Sequence, residues 1–296
     1  MSNEDLLLIM DSMPLSLSII TINYNNRSGL AKTMQSVLCQ IRGDFEYVVV
    51  DGNSNDGSAD VIQQYSNLFG NRLKWVSEPD NGIYNAMNKG IHMATGEYVQ
   101  FLNSGDCLAS NDVTEKMMDA LKEKGYPSIL YGNMLKDMPD GKVLKDRDFA
   151  GQEITFLGFY EGTLNHSPAY IRRDLFNKYG LYDENLRIVS DWKWYLQAIV
   201  LGEERPVYAD IDVTLFDMHG ISESNKDLDK TERKTVLNEL IHPSILADYE
   251  RWSFPIQQMK RLQRHPWAYK FVWFLERGLF KIEKCQRKKK QESIYQ

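Results

Sequence analysis

Residues Glu97–Asp106 read Glu-Tyr-Val-Gln-Phe-Leu-Asn-Ser-Gly-Asp. The first half of this stretch is apolar and aromatic, which predicts a buried β-strand, and the second half is a short polar turn that ends on Asp106. In α/β folds the ligands lie at the carboxyl ends of the strands. A carboxylate there, beside an amide, a hydroxyl and a glycine, suits a hard divalent cation that is shared with a phosphate. The turn is therefore a candidate functional site.

Two earlier strands end in similar polar clusters. The predicted strand Leu15–Ile22 runs into Asn23-Tyr24-Asn25, and the predicted strand Phe45–Val50 runs into Asp51-Gly52-Asn53-Ser54-Asn55-Asp56-Gly57. Because the carboxyl ends of parallel strands meet at one edge of a sheet, the three clusters are expected to converge. Polar groups gathered in this way indicate a nucleotide pocket, and Tyr24 could stack on a base.

The order of the predicted elements indicates an α/β fold with a mostly parallel sheet and helices on both faces. Strands and helices alternate up to Gly132, after which the alternation fails and Met138–Gly141 predicts a hairpin turn. We expect one large domain over residues 1–245. Its first half, with the predicted nucleotide pocket, covers about 14–132 and its second half about 133–245, and a basic helical extension covers 246–296.

Composition and cysteine spacing indicate a soluble protein of a reducing compartment. Apolar residues make up 43% and charged residues 26% of the chain, and its three cysteines match no zinc pattern. The apolar run Leu6–Met10 follows acidic residues and lacks the basic region of a secretory signal. No apolar run approaches the roughly 20 residues that span a bilayer. A cytoplasmic location is therefore expected.

The C-terminal segment has a charge of its own. Residues Lys260–Lys290 include eleven Lys or Arg and two Glu, a net charge of +9, whereas the whole chain carries −6. An acidic body makes nucleic acid an unexpected partner. Within the segment, one helical stripe is apolar: Trp267, Phe271, Phe274, Leu275, Leu279 and Ile282. A basic amphipathic helix predicts binding to an anionic membrane surface, and packing on the body or on a second copy are the alternatives.

Several polar residues have both a structural and a functional interpretation. Asp51 either organises a turn or accepts hydrogen bonds from a base or ribose. In the stretch Glu78–Gly90 a strand ends and a helix starts, so that Asp80 and free backbone amides converge. Lys89 lies about two turns along this helix, where it could approach a diphosphate or remain a surface lysine. Asp191 could cap the following helix or act as a general base.

The ordered set of motifs resembles the family 2 glycosyltransferases of the GT-A fold over roughly residues 14–245. The motifs are Asn23-Tyr24-Asn25, Asp51–Gly57, Asp80–Tyr84 with Asn88-Lys89-Gly90, Asn103–Asp106, His166-Ser167, Asp183-Glu184, Ser190-Asp191-Trp192 and Gly220-Ile221-Ser222. The resemblance implies a metal-assisted, inverting transfer from a nucleotide-diphosphate sugar, expected to be a UDP-sugar, to a hydroxyl of a glycan or lipid-linked glycan. The implied cofactor is a divalent cation, Mn²⁺ or Mg²⁺.

The resemblance also assigns roles to single residues. Asp191 matches the catalytic base and Asp106 the last acid of the Asp-x-Asp metal motif, whose first acid is replaced by Ser104. The expected nucleotide-binding set is Thr21, Asn23, Tyr24, Asp51, Asn53, Asp80 and Lys89. His219 is expected at the metal or the diphosphate. The expected donor or acceptor side comprises Asn103, Ser104, His166 and Trp192, although Trp192 could equally pack in the core.

The sequence also bears on three other function classes. A nucleotidyltransferase would need a Gly/Arg/Lys-rich phosphate loop after the first strand, where residues Asn23–Leu30 supply only Arg27 and Gly29. A hydride-transfer enzyme is disfavoured because no Gly-x-Gly-x-x-Gly follows that strand. The single carboxylate of the metal turn leaves open a sugar-nucleotide-binding protein without turnover.

Overall fold

The computed structural model describes residues 16–138, 141–218 and 225–292 of the chain. The chain divides into two compact units, the first ending at Val236 and the second beginning at Leu237. The strands are β1 (Leu17–Asn23), β2 (Phe45–Asp51), β3 (Leu73–Ser77), β4 (Tyr98–Phe101), β5 (Cys107–Leu108), β6 (Ile129–Asp137), β7 (Val143–Asp146), β8 (Ala169–Arg172) and β9 (Val207–Phe216). The α-helices are α1 (Arg27–Leu38), α2 (Ser58–Phe69), α3 (Ile83–Met93), α4 (Val113–Glu123), α5 (Phe156–Glu161), α6 (Leu175–Tyr179), α7 (Ser190–Tyr195), α8 (Lys226–Leu240), α9 (Pro243–Gln263) and α10 (Pro266–Glu292).

The strands form one sheet in the order β3-β2-β1-β4-β8-β6-β9-β5, with β7 paired to β6. The pairs β3–β2, β2–β1 and β1–β4 are parallel, as the alternation of strands and helices predicted. Beyond β4 the sheet is mixed, because β8 runs antiparallel to both β4 and β6 while β6 and β9 are parallel. Strands from both predicted halves therefore belong to the same sheet, which confirms the predicted α/β fold class.

The parallel strands are buried because helices cover their apolar side chains. All seven residues of β1 and six of the seven residues of β2 are buried, and continuous apolar runs are typical of such strands. Leu30 and Met34 of α1 and Met117 of α4 join the core cluster around Tyr47. The register of the strands brings polar side chains together at the carboxyl edge of the sheet, because Asn23 pairs with Asp51 and Asp51 pairs with Ser77.

Two elements of the structure differ from the predicted pattern. Strand β6 continues to Asp137 rather than ending at Gly132. Polar Asn133 is accommodated inside it because its amide donates to Asp210 and Asp212 of β9. The helix expected to follow Asp191 includes it, since α7 starts at Ser190, and its continuation, Leu196–Leu201, is a π-helix.

The second unit contains α9 and α10, which contact each other. Many of its large apolar side chains are exposed, including all six of the predicted stripe on α10. Among the described residues, no helix has the length and apolar character required to cross a bilayer.

Candidate active site

At the carboxyl edge of the sheet, Asp51 joins three strand ends. Its side chain is fully buried and accepts hydrogen bonds from Asn23 Nδ2 at 2.7 Å, Ser77 Oγ at 2.6 Å and both the amide and hydroxyl of Ser54. Burial opposes ionisation, but these hydrogen bonds hold the pKa of Asp51 below its usual value. Asp51 therefore organises the loop as a permanent anion, and direct contact with a base or ribose stays a prediction.

Tyr24, Gly52 and Asp80 converge beside Asp51. The Tyr24 side chain is 68% exposed, so its ring is available to a ligand. A Cβ on Gly52 would lie 2.4 Å from Asp80 Oδ2 and 3.1 Å from Tyr24 Cδ2. The absence of a side chain at Gly52 thus leaves room for the Asp80 carboxylate and the Tyr24 ring to approach the backbone there. Asn53 is exposed next to them, with a left-handed backbone (φ 61°). This arrangement fits the predicted nucleotide end of the site.

Two residues of the predicted nucleotide set have other partners in the structure. Thr21 is buried, where its hydroxyl contacts Tyr47 and donates to the carbonyl of Leu102. Lys89 Nζ lies 2.8 Å from Glu78 Oε1 and donates to the carbonyl of Pro79. The contacts of Thr21 indicate that it supports the end of the sheet rather than touching a ligand. The approach of Lys89 to a diphosphate stays a prediction.

A cavity of about 850 Å³ lies in the first unit. Its lining includes six of the predicted site residues: Asn103, Ser104, Asp106, His166, Asp191 and Trp192. The fold thus gathers residues that are up to 89 positions apart in sequence. None of the nucleotide-end residues named above belongs to the described lining of this cavity. The candidate site therefore has two parts, a nucleotide end and a polar cavity.

Asp191 lies in the first turn of α7 and forms a hydrogen-bonded cluster in the cavity. Its Oδ2 is 2.8 Å from His166 Nδ1, and its Oδ1 accepts from the backbone N–H of Trp192 at 2.9 Å. The Tyr84 hydroxyl lies 3.0 Å from the same Oδ1 and also contacts the carbonyl of Ile188. Asp191 is not the N-cap, a position held by Val189. The carboxylate of Asp191 thus accepts one backbone N–H of the first turn and also contacts two side chains of the cavity, Tyr84 and His166.

The electrostatics of this cluster favour an ion pair. Burial would raise the pKa of Asp191, but the contacts with His166, Tyr84 and Trp192 lower it overall. Burial would likewise lower the pKa of His166, but the hydrogen bond and charge of Asp191, with smaller effects of Asp106 and Asp148, raise it. Asp191 therefore stays ionised, and His166 is a stronger base than a free imidazole.

Asp106 occupies the end of the predicted metal turn. Its side chain is 4% exposed, and its Oδ1 accepts from the backbone N–H of Asp217 at 2.9 Å. Burial raises the pKa of Asp106 to about 6. Thr33 fixes the turn, since its hydroxyl donates to the carbonyl of Asp106 and accepts from the N–H of Gly105. A bound cation would offset the cost of burying this carboxylate.

Asp106 and Asp217, which are joined by that hydrogen bond, both line the cavity. Within the described ranges, no group of three or more His, Cys, Asp or Glu could enclose a metal ion. The arrangement fits a cation that takes few protein ligands and draws the others from substrate phosphate and water, as Mg²⁺ does. The predicted ligand His219 lies outside the described residues.

Trp192 lines the cavity but is only 2% exposed. Its Nε1 donates to the carbonyls of Phe159 and Gly162, and the guanidinium of Arg233 lies 4.6 Å from the ring centre. These contacts favour the packing interpretation of Trp192. Ser104 is tied to Asn26 by two hydrogen bonds, through its carbonyl and its hydroxyl.

Three cavity residues were not assigned by the sequence. Tyr84 appeared only as part of a motif, and no local signal linked it to Asp191. Asp217 is two positions before His219 in the sequence and could have been found as an acid near a predicted ligand. Asp148 is held by the backbone and side chain of Asn165, and burial raises its pKa to about 7. The backbone of Asp148 is left-handed (φ 46°), and no pattern in the sequence predicts that conformation.

The fold resembles that of solved glycosyltransferases. A structure of residues 1–349 of S. aureus TarS with UDP-GlcNAc matches with a TM-score of 0.59 at 21% identity, over 77% of this chain and 68% of that one. The mannosyltransferase PcManGT from Pyrobaculum calidifontis, with GDP-Man and Mn²⁺, matches with a TM-score of 0.58 at 16% identity, over 91% and 82%. A longer TarS structure is matched over only 41% of its length. At these identities the likeness establishes the fold.

Sequence comparison establishes the family. The uncharacterized glycosyltransferase Rv1514c of Mycobacterium tuberculosis is 35% identical over 211 residues, which are 69% of this chain and 78% of that protein. A PGL/p-HBAD biosynthesis glycosyltransferase of Mycobacterium bovis is 28% identical over 183 residues, 61% and 68% of the two chains. The model of glycosyl transferase family 2 matches residues 18–182, a shorter stretch than the expected 14–245 that ends before Asp191. The chain belongs to glycosyl transferase family 2.

Proposed function

We propose that the protein is an inverting, divalent-cation-dependent glycosyltransferase that moves a sugar from a nucleotide-diphosphate sugar, a UDP-sugar, to a hydroxyl of a glycan or lipid-linked glycan. The observation that carries the proposal is that Asp106 and the Asp191–His166 pair line one cavity. The carboxylate of Asp106 suits the diphosphate of the donor, and the Asp191–His166 pair suits the acceptor hydroxyl. The solved relatives bind UDP-GlcNAc or GDP-Man, which supports a nucleotide-sugar donor.

In the proposed in-line displacement at the anomeric carbon, each group of site residues has its own role. Tyr24, Asp80 and the loop that Asp51 organises would hold the nucleotide. The Asp191–His166 pair would take the proton of the acceptor hydroxyl as its oxygen attacks the anomeric carbon. A cation held by Asp106, with Asp217 and the predicted ligand His219 as further candidates, would neutralise the charge that develops on the departing diphosphate. Family membership favours this reaction over nucleotidyl transfer.

The proposed location is the cytoplasmic face of a membrane, with the second unit as a peripheral anchor. The exposed apolar stripe on α10 supports this location, since Trp267 is 76% and Phe274 72% exposed. Lys270, Arg277 and Lys281 are exposed on the same helix and would attract anionic lipid headgroups. Such a location would bring the site to acceptors that are linked to lipid.

Calorimetric titration with UDP, GDP and dTDP, each with and without Mn²⁺, tests the donor side. We expect UDP to bind, and to bind more tightly with Mn²⁺, because a cation held by Asp106 would attract the diphosphate. Failure of all three diphosphates to bind in the presence of Mn²⁺ would contradict the proposal. Asp51 and Asp106 would then have only the structural role of stabilising their turns. Binding without any turnover would instead favour the alternative of a sugar-nucleotide-binding protein.

A further inference from the structure

Asp148 lines the cavity in a conformation that is costly for the fold. Its backbone is left-handed (φ 46°), which few residues other than glycine adopt, and burial raises the pKa of its carboxyl group to about 7. Within the described ranges no Lys or Arg forms an ion pair with it, and the nearby Lys136 is paired with Asp146. Backbone strain and carboxylates with shifted pKa values are concentrated at functional sites.

Asn165 holds Asp148 and leaves part of its carboxylate unused. The backbone N–H of Asn165 donates to Asp148 Oδ2 at 3.0 Å, and its side-chain amide donates to Oδ1. An ionised carboxylate accepts about four hydrogen bonds. Each oxygen of Asp148 therefore retains the capacity to accept from one further donor, such as a hydroxyl of a ligand in the cavity.

The same segment of the chain places Asp148 beside the Asp191–His166 pair. Asn165 binds Asp148, and His166, the next residue, contacts Asp191 at 2.8 Å through Nδ1. Consecutive Cα atoms are about 3.8 Å apart, so the two carboxylates are held by closely spaced residues. The charge of Asp148 also contributes to the raised pKa of His166. One sugar residue is large enough to place one hydroxyl at the pair and a second at Asp148.

Phe149 and Lys136 add an aromatic ring and an ammonium group to this part of the cavity lining. The Phe149 ring lies against Gly158 of α5, where a Cβ would be 2.7 Å from Phe149 Cε1. Lys136 Nζ lies 2.8 Å from Asp146 Oδ2. A sugar carries hydroxyls around its edge, which donate and accept, and C–H groups on its faces. A carboxylate, an ammonium group and an aromatic ring are complementary to such a ligand.

The charge of the cavity favours a neutral sugar over an acidic one. The described lining contains six Asp, one Lys and two Arg. Two of these three cations are already paired, Lys136 with Asp146 and Arg233 with Asp229. An acidic sugar at Asp148 would bring a second anion to a carboxylate without an ion-pair partner, and like charges in contact are unfavourable.

We propose that the cavity contains an acceptor subsite for a neutral sugar with hydroxyls on adjacent carbons, formed by Lys136, Asp148, Phe149 and Asn165. Asp148 accepts a hydrogen bond from the hydroxyl next to the attacking one, and Phe149 contacts the C–H groups of the sugar ring. The attacking hydroxyl itself lies at the Asp191–His166 pair. Asp148 is thus a residue that determines acceptor specificity. This inference rests on the proposed function and deepens it by naming the class of acceptor.

Transfer to synthetic acceptors by the full-length protein tests the acceptor subsite. UDP-GlcNAc, UDP-glucose and GDP-mannose are the donors, with Mn²⁺ at about pH 8, where a carboxyl group with a pKa of about 7 is mostly ionised. The acceptors are the octyl glycosides of glucose, galactose, mannose and N-acetylglucosamine, with octyl glucuronide as the acidic match of octyl glucoside. Mass spectrometry measures the transfer product, and release of nucleoside diphosphate without an acceptor measures hydrolysis. We expect transfer to at least one neutral glycoside, and transfer to the glucuronide at least roughly tenfold slower than to the glucoside.

Asp148→Asn separates acceptor recognition from a purely structural role. Asparagine tolerates a left-handed backbone and keeps the size of the side chain, but it lacks the charge and one acceptor oxygen. We expect the ratio of transfer to hydrolysis to fall by roughly 10- to 100-fold, as for a lost hydrogen bond to a charged group. Asp137→Asn, at an exposed position beside Lys136 and outside the described lining, is the matched control and should leave this ratio unchanged.

Two further comparisons locate the contacts of the sugar. A deoxy glycoside without the hydroxyl next to the attacking one should lose transfer with the wild type and lose nothing further with Asp148→Asn, because both changes remove the same hydrogen bond. Gly158→Ala displaces the ring of Phe149 without changing a polar group. We expect it to lower the ratio of transfer to hydrolysis by roughly three- to tenfold, the scale of one aromatic contact.

The comparisons among acceptors use the wild-type protein and stay decisive where a variant folds poorly. An unchanged ratio in Asp148→Asn, or hydrolysis without transfer to any neutral glycoside, would overturn the inference and leave the transferase function intact. Faster transfer to the glucuronide than to the glucoside would also overturn it and would assign the acceptor side to Arg187, the remaining cation of the described lining. Neither hydrolysis nor transfer from any of the three donors would contradict the proposed function itself.

Discussion

At the scale of single residues, two buried carboxylates in one cavity have opposite properties. Asp106 has one backbone N–H donor on its Oδ1, and burial raises its pKa to about 6. Burial acts on Asp191 in the same direction, but three donors more than offset it and the pKa is lowered. When the environments of two carboxylates shift their pKa values in opposite directions, the two groups commonly have different roles in an active site. Asp106 is thus suited to receive a cation and Asp191 to remain an anion.

Replacing Asp191 by asparagine tests the second role. Asp191→Asn keeps the size of the side chain but removes the charge that supports His166, so we expect kcat to fall by roughly 10²- to 10⁴-fold. The nucleotide end of the site lies elsewhere, and the affinity for UDP should stay within about twofold of wild type by calorimetry. Strongly weakened UDP binding would show instead that Asp191 maintains the fold or the nucleotide pocket.

Gly52 provides a test of the nucleotide end. The added methyl of Gly52→Ala would lie 2.4 Å from Asp80 Oδ2, so the carboxylate of Asp80 must shift from its place at the nucleotide end. We expect UDP to bind roughly tenfold more weakly, a loss of about 1.4 kcal/mol. Gly278→Ala, where nothing lies within 4 Å of the new methyl, is the control. An unchanged affinity for UDP in Gly52→Ala would place the nucleotide elsewhere.

At the scale of elements, α8 holds the segment that leads into α7. Glu232 of α8 is 8% exposed, and its carboxylate accepts from the backbone N–H groups of Arg187, Ile188 and Val189. The carbonyl of Ile188 in turn contacts the Tyr84 hydroxyl, which touches Asp191. One buried side chain on a helix thus fixes the approach to the catalytic cluster.

Removal of that side chain should loosen the segment. Hydrogen bonds to charged groups contribute about 1.5–3 kcal/mol each, and Glu232→Ala leaves three backbone groups without this acceptor. We expect the free energy of unfolding to fall by about 2–4 kcal/mol and kcat to fall more than UDP affinity. Lys234→Ala, an exposed position on the same helix, should change neither. Denaturant unfolding and donor hydrolysis measure both effects, and unchanged kcat in Glu232→Ala would show that α8 does not position the cluster.

The elements also show what local sequence can predict. Strand ends were predictable because apolar runs stop at polar clusters, so Asn23, Asp51 and Asp106 were found at the carboxyl edge. Contacts between distant elements were not, because nothing in the local pattern joins Tyr84 to Asp191, 107 positions further along. Likewise, the ion pair of Lys89 with Glu78 depends on how a helix lies over a strand end. Periodicity predicts the elements, whereas side-chain partners follow from tertiary packing.

At the scale of the whole molecule, charge and exposed apolar surface are unevenly distributed along the chain. The segment Lys260–Lys290 carries +9 in a protein of net charge −6. On α10, Phe271 is 59% and Phe274 72% exposed. Large exposed aromatic side chains beside basic ones are typical of helices that lie in a membrane interface. The second unit is therefore the proposed anchor.

Vesicle sedimentation tests the anchor. Phe271→Glu combined with Phe274→Glu should abolish binding to phosphatidylglycerol-containing vesicles, because it removes apolar area and adds charge that the lipids repel. Gln257→Glu combined with Gln258→Glu makes the same charge change on exposed positions of α9 and should retain most of the binding. Equal loss in both double variants would indicate a purely electrostatic association, and unchanged binding in the Phe variant would exclude α10 as the anchor.

The measurement that tests the central claim most directly is proton NMR of the sugar released from UDP-GlcNAc, UDP-glucose and GDP-mannose by the purified protein with Mn²⁺. The account predicts release of nucleoside diphosphate from at least one donor. It also predicts that the sugar appears first with inverted configuration at the anomeric carbon and that Asp191→Asn stops the release. Release with retained configuration, or no release from any of the three donors, would contradict the account.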